Sequence, residues 1–124
     1  MIYVVANSRR KEGFTEAAHG IIALTSVLNW NNDTLEVLNI DNPIYTSIGQ
    51  ETAIHFAKML QNNRSIKKLS LRKHGFTDDS IYTITEHLLE NNVLQVLDLT
   101  ANKISFKGCQ ALAKYLSQGE NCVL

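Results

Sequence analysis

Two periods alternate along this chain. In "VLQVLDLTANKIS" (93–105), Leu97 and Leu99 stand two apart, the spacing of a strand with one buried face, and Leu94 precedes them by three. Cys109, Leu112, Ala113 and Leu116 then follow i, i+3, i+4, i+7, the apolar stripe of a helix. Laying the chain against itself repeats both patterns. A shift of 28 sets Leu94, Leu97 and Leu99 on Ile66, Leu69 and Leu71, and sets the helical stripe on Ile81, Ile84, Thr85 and Leu88. A further shift of 28 reaches Ala53, Phe56, Ala57 and Leu60, while the strand of that copy, "TLEVLNI", comes three residues early. A weaker copy opens the chain, with Ile21, Leu24, Thr25 and Leu28 as its stripe and a loosely defined strand within "IYVVAN".

Polar residues punctuate the copies. Thr77 and Ser105 lie four residues before their stripes, where helix N-caps are expected, and Asp78 and Asp79 suit the positive end of the helix dipole. After each helix one aligned position carries Asn31, Asn63, Asn91 or Gly119. These residues best tolerate a left-handed conformation, so the pattern predicts left-handed helix caps. Asn102 stands where the chain leaves a strand and can bond the backbone groups freed there. The equivalent positions hold His74 and Pro43. His74 reads as a structural substitute for asparagine. Pro43 has no amide hydrogen, so the polar ladder is interrupted there, and the longer loop "DNPIYTSIGQ" is expected to bulge outward.

One strand and one helix cannot bury their apolar faces alone. Stacked, they give an α/β array with parallel strands on one side and helices on the other. Helices pack roughly 8–10 Å apart and strands about 4.8 Å apart, so the stack should curve with its strands concave. Leu97 and Leu99 should be buried, and Cys109 and Cys122, on positions apolar in other copies, should be core thiols. "LQVLDLTANKI" resembles the leucine-rich-repeat pattern, and a 28-residue unit with a full helix resembles the ribonuclease-inhibitor type of that family. The resemblance implies a short curved solenoid, a horseshoe segment. It would be a single domain over 1–124, with repeats at 1–33 (degraded), 34–64, 65–92 and 93–121 and the start of another at 122–124. It also implies a binding scaffold, since known members are inhibitors, sensor domains and one group of GTPase activators. Neither end reads as a capping repeat, which predicts a fragment of a longer array or self-association near residues 93–124.

Composition narrows the partners. The 44% apolar and 19% charged content excludes a disordered chain, and no stretch reaches the length of a membrane span. Twelve basic residues balance twelve acidic ones, which removes any global pull towards nucleic acid or anionic membrane. Two cysteines are too few for a disulfide framework, and the opening residues do not form a secretory signal, so an intracellular protein, cytoplasmic or nuclear, is expected. The six scattered glycines form no phosphate loop, and no zinc-ligand spacing occurs. His19, His55 and His87 fall at non-equivalent helix positions. No catalytic group, metal or cofactor is therefore assigned.

What remains is the set of strand residues between the buried leucines: Val37, Asn39 and Asp41; Lys68, Ser70 and Arg72; Val96, Asp98 and Thr100. The middle set, helped by Lys67 and Lys73, is basic, with an acidic residue on each side. Either these charges merely keep a solvated sheet soluble, or Lys68 and Arg72 receive an acidic side chain or loop of a protein partner. The face lacks the aromatic residues that stack nucleic-acid bases. The alternatives are a GTPase activator, drawing on Arg9, Arg10, Arg64 or Arg72, and a ligand-sensing fragment of a larger signalling protein.

Overall fold

The structure, a computed structural model, describes residues 2–5, 14–30, 33–41 and 49–117. Strand and helix alternate throughout: β1 (Ile2–Val5), α1 (Phe14–Trp30), β2 (Leu35–Asn39), α2 (Gly49–Asn62), β3 (Lys68–Ser70), α3 (Asp78–Leu88), β4 (Val96–Asp98) and α4 (Phe106–Ser117). The strands pair in parallel in the order β1-β2-β3-β4, and each helix packs on its neighbours in sequence. The mixed α/β repeat read from the two periods is therefore present. Pro43 and its loop, Asn31, Gly119 and Cys122 lie outside the described residues.

Register follows the pattern. Leu38, Leu69 and Leu97 are direct partners, and they pack with the helical stripes Phe56, Leu60, Ile81, Ile84 and Leu88 in one core. Ile21, Thr25 and Leu28 bury the inward face of α1, as the degraded first copy required. Each fully buried Leu or Ile contributes roughly 1.5–3 kcal/mol. Thr77 caps α3, its backbone N–H donating to Ser80 Oγ at 3.1 Å, with Asp78 and Asp79 in the first turn. Asp78 also reaches the next repeat, where its carboxylate accepts the backbone N–H groups of Ser105 (2.8 Å) and Gly108 (3.0 Å) and the Ser105 hydroxyl. Those bonds, the Ser105 hydroxyl foremost, hold the Asp78 carboxyl below its usual range. The close approach needs glycine: a Cβ at Gly108 would sit 2.5 Å from Asp78 Oδ1 and from Ile104 Cγ2.

Two asparagine ladders bind successive repeats. Asn102 Nδ2 donates to the Leu71 and Leu99 carbonyls (3.0 and 2.8 Å), and its Oδ1 accepts the N–H groups of His74 and Phe76 (2.9 and 3.1 Å). His74 takes the same place one repeat earlier. Its ring bonds the carbonyl of Ile40, the residue equivalent to Leu71, and lies between Phe56 and Phe76 with none of its surface exposed. The structural reading of His74 therefore holds.

The second ladder corrects an expectation. Asn63 and Asn91 were expected as left-handed caps, but among the described residues positive φ occurs at Lys73 (59°), Ala101 (62°) and Gly75 (73°). Asn63 and Asn91 are instead buried and act through their side chains. Asn91 Nδ2 donates to the Leu60 carbonyl at 2.7 Å, while Oδ1 accepts the N–H groups of Val93 and Leu94 at 2.8 and 2.9 Å. Asn63 does the same with Leu28, Ser65 and Ile66. The residue ties its own helix–strand turn to the end of the preceding helix. A partner some 30 residues away is invisible to a local reading of cap propensity.

Burial departs from expectation in the last described repeat. Leu94 is buried, but Leu97 and Leu99 are only half-buried, and Cys109, expected in the core, is exposed. Leu112 is half-buried and Leu116 is 50% exposed. Their counterparts in α3, Ile81, Ile84 and Leu88, are fully buried because α4 lies over them. No described element covers α4 in the same way.

Candidate functional site

The strand residues that point away from the core form rows across the sheet, set by the parallel register. One row is Val37–Lys68–Val96, in register with Tyr3 of β1. The next is Asn39–Ser70–Asp98, in register with Val5. Asp41, Arg72 and Thr100 follow at the strand exits. Lys68, Arg72, Val96 and Thr100 are exposed, whereas Val37, Asn39, Asp41, Ser70 and Asp98 are half-buried. The register aligns six of the nine residues expected on this face, Val37, Lys68, Val96, Asn39, Ser70 and Asp98, and the other three follow the strand ends.

The electrostatics differ from the simple basic row of the sequence. Asp41 Oδ1 accepts the Ser70 hydroxyl at 2.6 Å and the Arg72 backbone N–H at 2.9 Å, and the Asp41 N–H donates to Asn39 Oδ1 at 3.0 Å. Asp98 accepts the Thr100 N–H at 2.9 Å. Its carboxyl is held below the usual range by the Thr100 hydroxyl, then by that N–H, with the Arg72 charge assisting. Arg72 therefore sits in the field of Asp98 with Asp41 on its own backbone. Lys67 pairs with Glu36 at 3.1 Å. Lys68 has no carboxylate partner among the described residues and stands between two valines, Val96 being 46% exposed. Among the described residues, the strand-entry end of the face thus sets Lys68, without a carboxylate partner, between two valines, and the strand-exit end links Asn39, Asp41, Ser70 and the Arg72 backbone N–H in one polar network, with the Arg72 guanidinium in no salt bridge.

Other expected groups turn out to have structural partners. The Arg64 guanidinium donates to the carbonyls of Gln61, Asn63 and Glu90, pinning one helix end to the next. His87 Nδ1 lies 2.8 Å from the Thr83 carbonyl. Burial, opposed by the Ile40 bond and the Asp41 charge, lowers the pKa of His74, whose Nδ1 has no partner among the described residues. No group of three or more His, Cys, Asp or Glu side chains suited to a metal occurs among the described residues. Arg9, Arg10 and the His19 side chain lie outside them. The sequence reading missed the cross-repeat work of Arg64 and Asp78, because nothing at matching positions in the other copies marks either.

Comparison with known proteins points in one direction. A family model described as "Leucine Rich repeat" matches residues 90–113, the repeat around β4 and α4. Leucine-rich repeat-containing protein 34 of Mus musculus is 30% identical over 93 residues, 75% of this chain and 22% of that protein. Leiomodin-3 of Homo sapiens is 27% identical over 90 residues, 73% of this chain and 16% of that protein. Among solved structures, that of "Leiomodin-1 Actin-Binding Site 2 (ABS2)" superposes with a TM-score of 0.80 at 24% identity, covering 94% of this chain and 64% of that one. The tropomodulin C-terminal domain from Caenorhabditis elegans superposes with a TM-score of 0.65 at 19% identity, over 77% of this chain and 56% of that one. At these identities the structural likenesses establish the fold. The chain spans about a fifth of the length of the curated relatives it matches.

Proposed function

We propose that this leucine-rich-repeat chain is a non-catalytic protein-interaction module, a single run of repeats inside the cell. In this reading the outward face of its strands, on the concave side of a curved stack, receives a protein partner. The observation that carries the reading is the row Val37–Lys68–Val96: a lysine without a described carboxylate partner, between apolar neighbours, in register across three strands. A partner carboxylate flanked by apolar groups complements it, because such a pair is partly desolvated on docking and gains accordingly. Of the arginines that a GTPase-activator reading would draw on, Arg64 is bound to three carbonyls, while Arg9 and Arg10 lie outside the described residues, so no observation favours that reading over the interaction module.

The test is a binding comparison between the wild-type chain and Lys68→Glu combined with Arg72→Glu. Both sites are exposed, so the circular dichroism spectrum should be unchanged while partner capture is lost. Actin is the first defined protein to try by co-sedimentation, because the leiomodin-1 region that superposes on this chain is an actin-binding site by name. Retention of the same partners by the double variant would leave the face as solvated surface and remove the proposal.

A further inference from the structure

His74 is a titratable side chain with none of its surface exposed. The Ile40 carbonyl can only accept, so the proton of the neutral ring is on Nε2 and Nδ1 is bare. Nδ1 is buried without a partner, while the ring stacks on Phe76 at 5.1 Å between centroids and stands edge-on to Phe56 at 5.5 Å. A second proton would put a charge and an N–H donor where no described residue accepts them. Helix α2 presents Phe56 to the ring, and the next repeat presents Asn102 to its turn, both uncharged. Asp41, at the exit of β2, favours the cation but is outweighed by burial; Arg72 and Lys73, on the turn of His74 itself, are exposed.

The turn that carries the ring is lightly held. Left-handed residues flank it, Lys73 (φ 59°) and Gly75 (φ 73°), the first with a side chain that disfavours this conformation. The Arg72 N–H donates to Asp41 and the Lys73 N–H to the Thr100 carbonyl at 3.2 Å, while the N–H groups of His74 and Phe76 share Asn102 Oδ1. The carbonyl that the ring bonds lies one residue before Asp41, which itself organises Ser70 and Arg72 on the outward face. We propose that His74 is an acid-sensitive latch: a proton on Nδ1 unseats the ring, opens the turn 72–76 and releases the strand-exit end of the outward face. Control of a partner by the latch rests on the function proposed above; the opening itself does not. The unseated ring regains its ordinary affinity for protons, so below about pH 6.5 the open fraction rises by up to about tenfold per pH unit. The equivalent turn after β4 carries Asn102 in place of the histidine and cannot respond in this way.

Amide exchange of the full chain, followed residue by residue by NMR and corrected for the intrinsic effect of pH, reads the opening without a partner. From about pH 7 to about pH 5.5 the Arg72, His74 and Phe76 amides should lose several-fold protection, up to about tenfold per pH unit. They should be less protected than the Leu60 amide of α2 at both values, the mark of a local opening. The Thr100 amide, bonded to Asp98, should not follow them. In His74→Asn the three turn amides should keep their protection across the range. A His74 ring that titrates while the turn stays protected is protonated in place and overturns the latch. Turn amides that exchange only at the rate of Leu60 overturn it too, as does the same pH response in His74→Asn. If that variant does not fold, the comparison of the 72–76 turn with Thr100 in the wild-type chain decides by itself. A face that binds nothing leaves this result standing, and a latch that fails leaves the test of Lys68 and Arg72 standing.

Discussion

The repeats built on α3 and α4 carry the same pattern 28 residues apart, yet one is a core and the other a surface. Leu88 is fully buried and Leu116 half exposed; Ile81 is buried and Cys109 is not. Position 80/108, which faces the preceding helix, is buried in both. The difference therefore lies on one side only, the side that a following repeat would cover. In a repeat array, burial belongs to a pair of neighbours rather than to a residue, and stability is a sum of repeat and interface contributions. Identical apolar stripes have different energetic weight according to what lies over them.

Truncation should break that equivalence most. Leu88→Ala is expected to cost roughly 2–5 kcal/mol and Leu116→Ala less than about 0.5 kcal/mol, read as the difference in chemical-denaturation midpoints under conditions where the chain is monomeric. Similar costs at both sites would mean that α4 is covered after all.

Acid should separate the repeats next. His74 and Asn102 fill equivalent places, but only His74 titrates. Burial lowers its folded pKa below the ordinary 6.5, so between those two values the unfolded chain binds the extra proton. The stability difference is absent above the unfolded pKa, and stability falls as pH drops below it, with a slope of at most about 1.4 kcal/mol per pH unit. His74→Asn, which keeps a donor for the Ile40 carbonyl, should flatten that part of the stability profile. An unchanged slope in the variant would place the acid sensitivity elsewhere.

The smallest effect should be shared. Lys73 and Ala101 occupy the same left-handed position after β3 and β4, at φ of 59° and 62°. Lys73→Gly and Ala101→Gly should each raise stability by roughly 0.5–1 kcal/mol, because backbone strain is local and indifferent to neighbours. Unequal gains, measured by thermal denaturation, would show that the outer turn relaxes its strain where the inner one cannot.

These contrasts mark the boundary between what was legible along the chain and what was not. The alternation of strand and helix, the parallel register of Leu38, Leu69 and Leu97, the Thr77 cap and the rows Val37–Lys68–Val96 and Asn39–Ser70–Asp98 follow from periodicity, which each repeat states within its own 28 residues. Tertiary structure decided the remainder. It turned Asn63 and Asn91 from backbone caps into buried cross-repeat bonds and placed His74 between two phenylalanines against Ile40. It also put the Arg72 backbone N–H on Asp41 while leaving Lys68 without a described carboxylate, and it exposed Cys109. The bonding, the charge pairing and the burial all depend on groups one repeat away. A local pattern specifies which face a residue occupies, but only the neighbouring repeat determines whether that face is met by protein or by water.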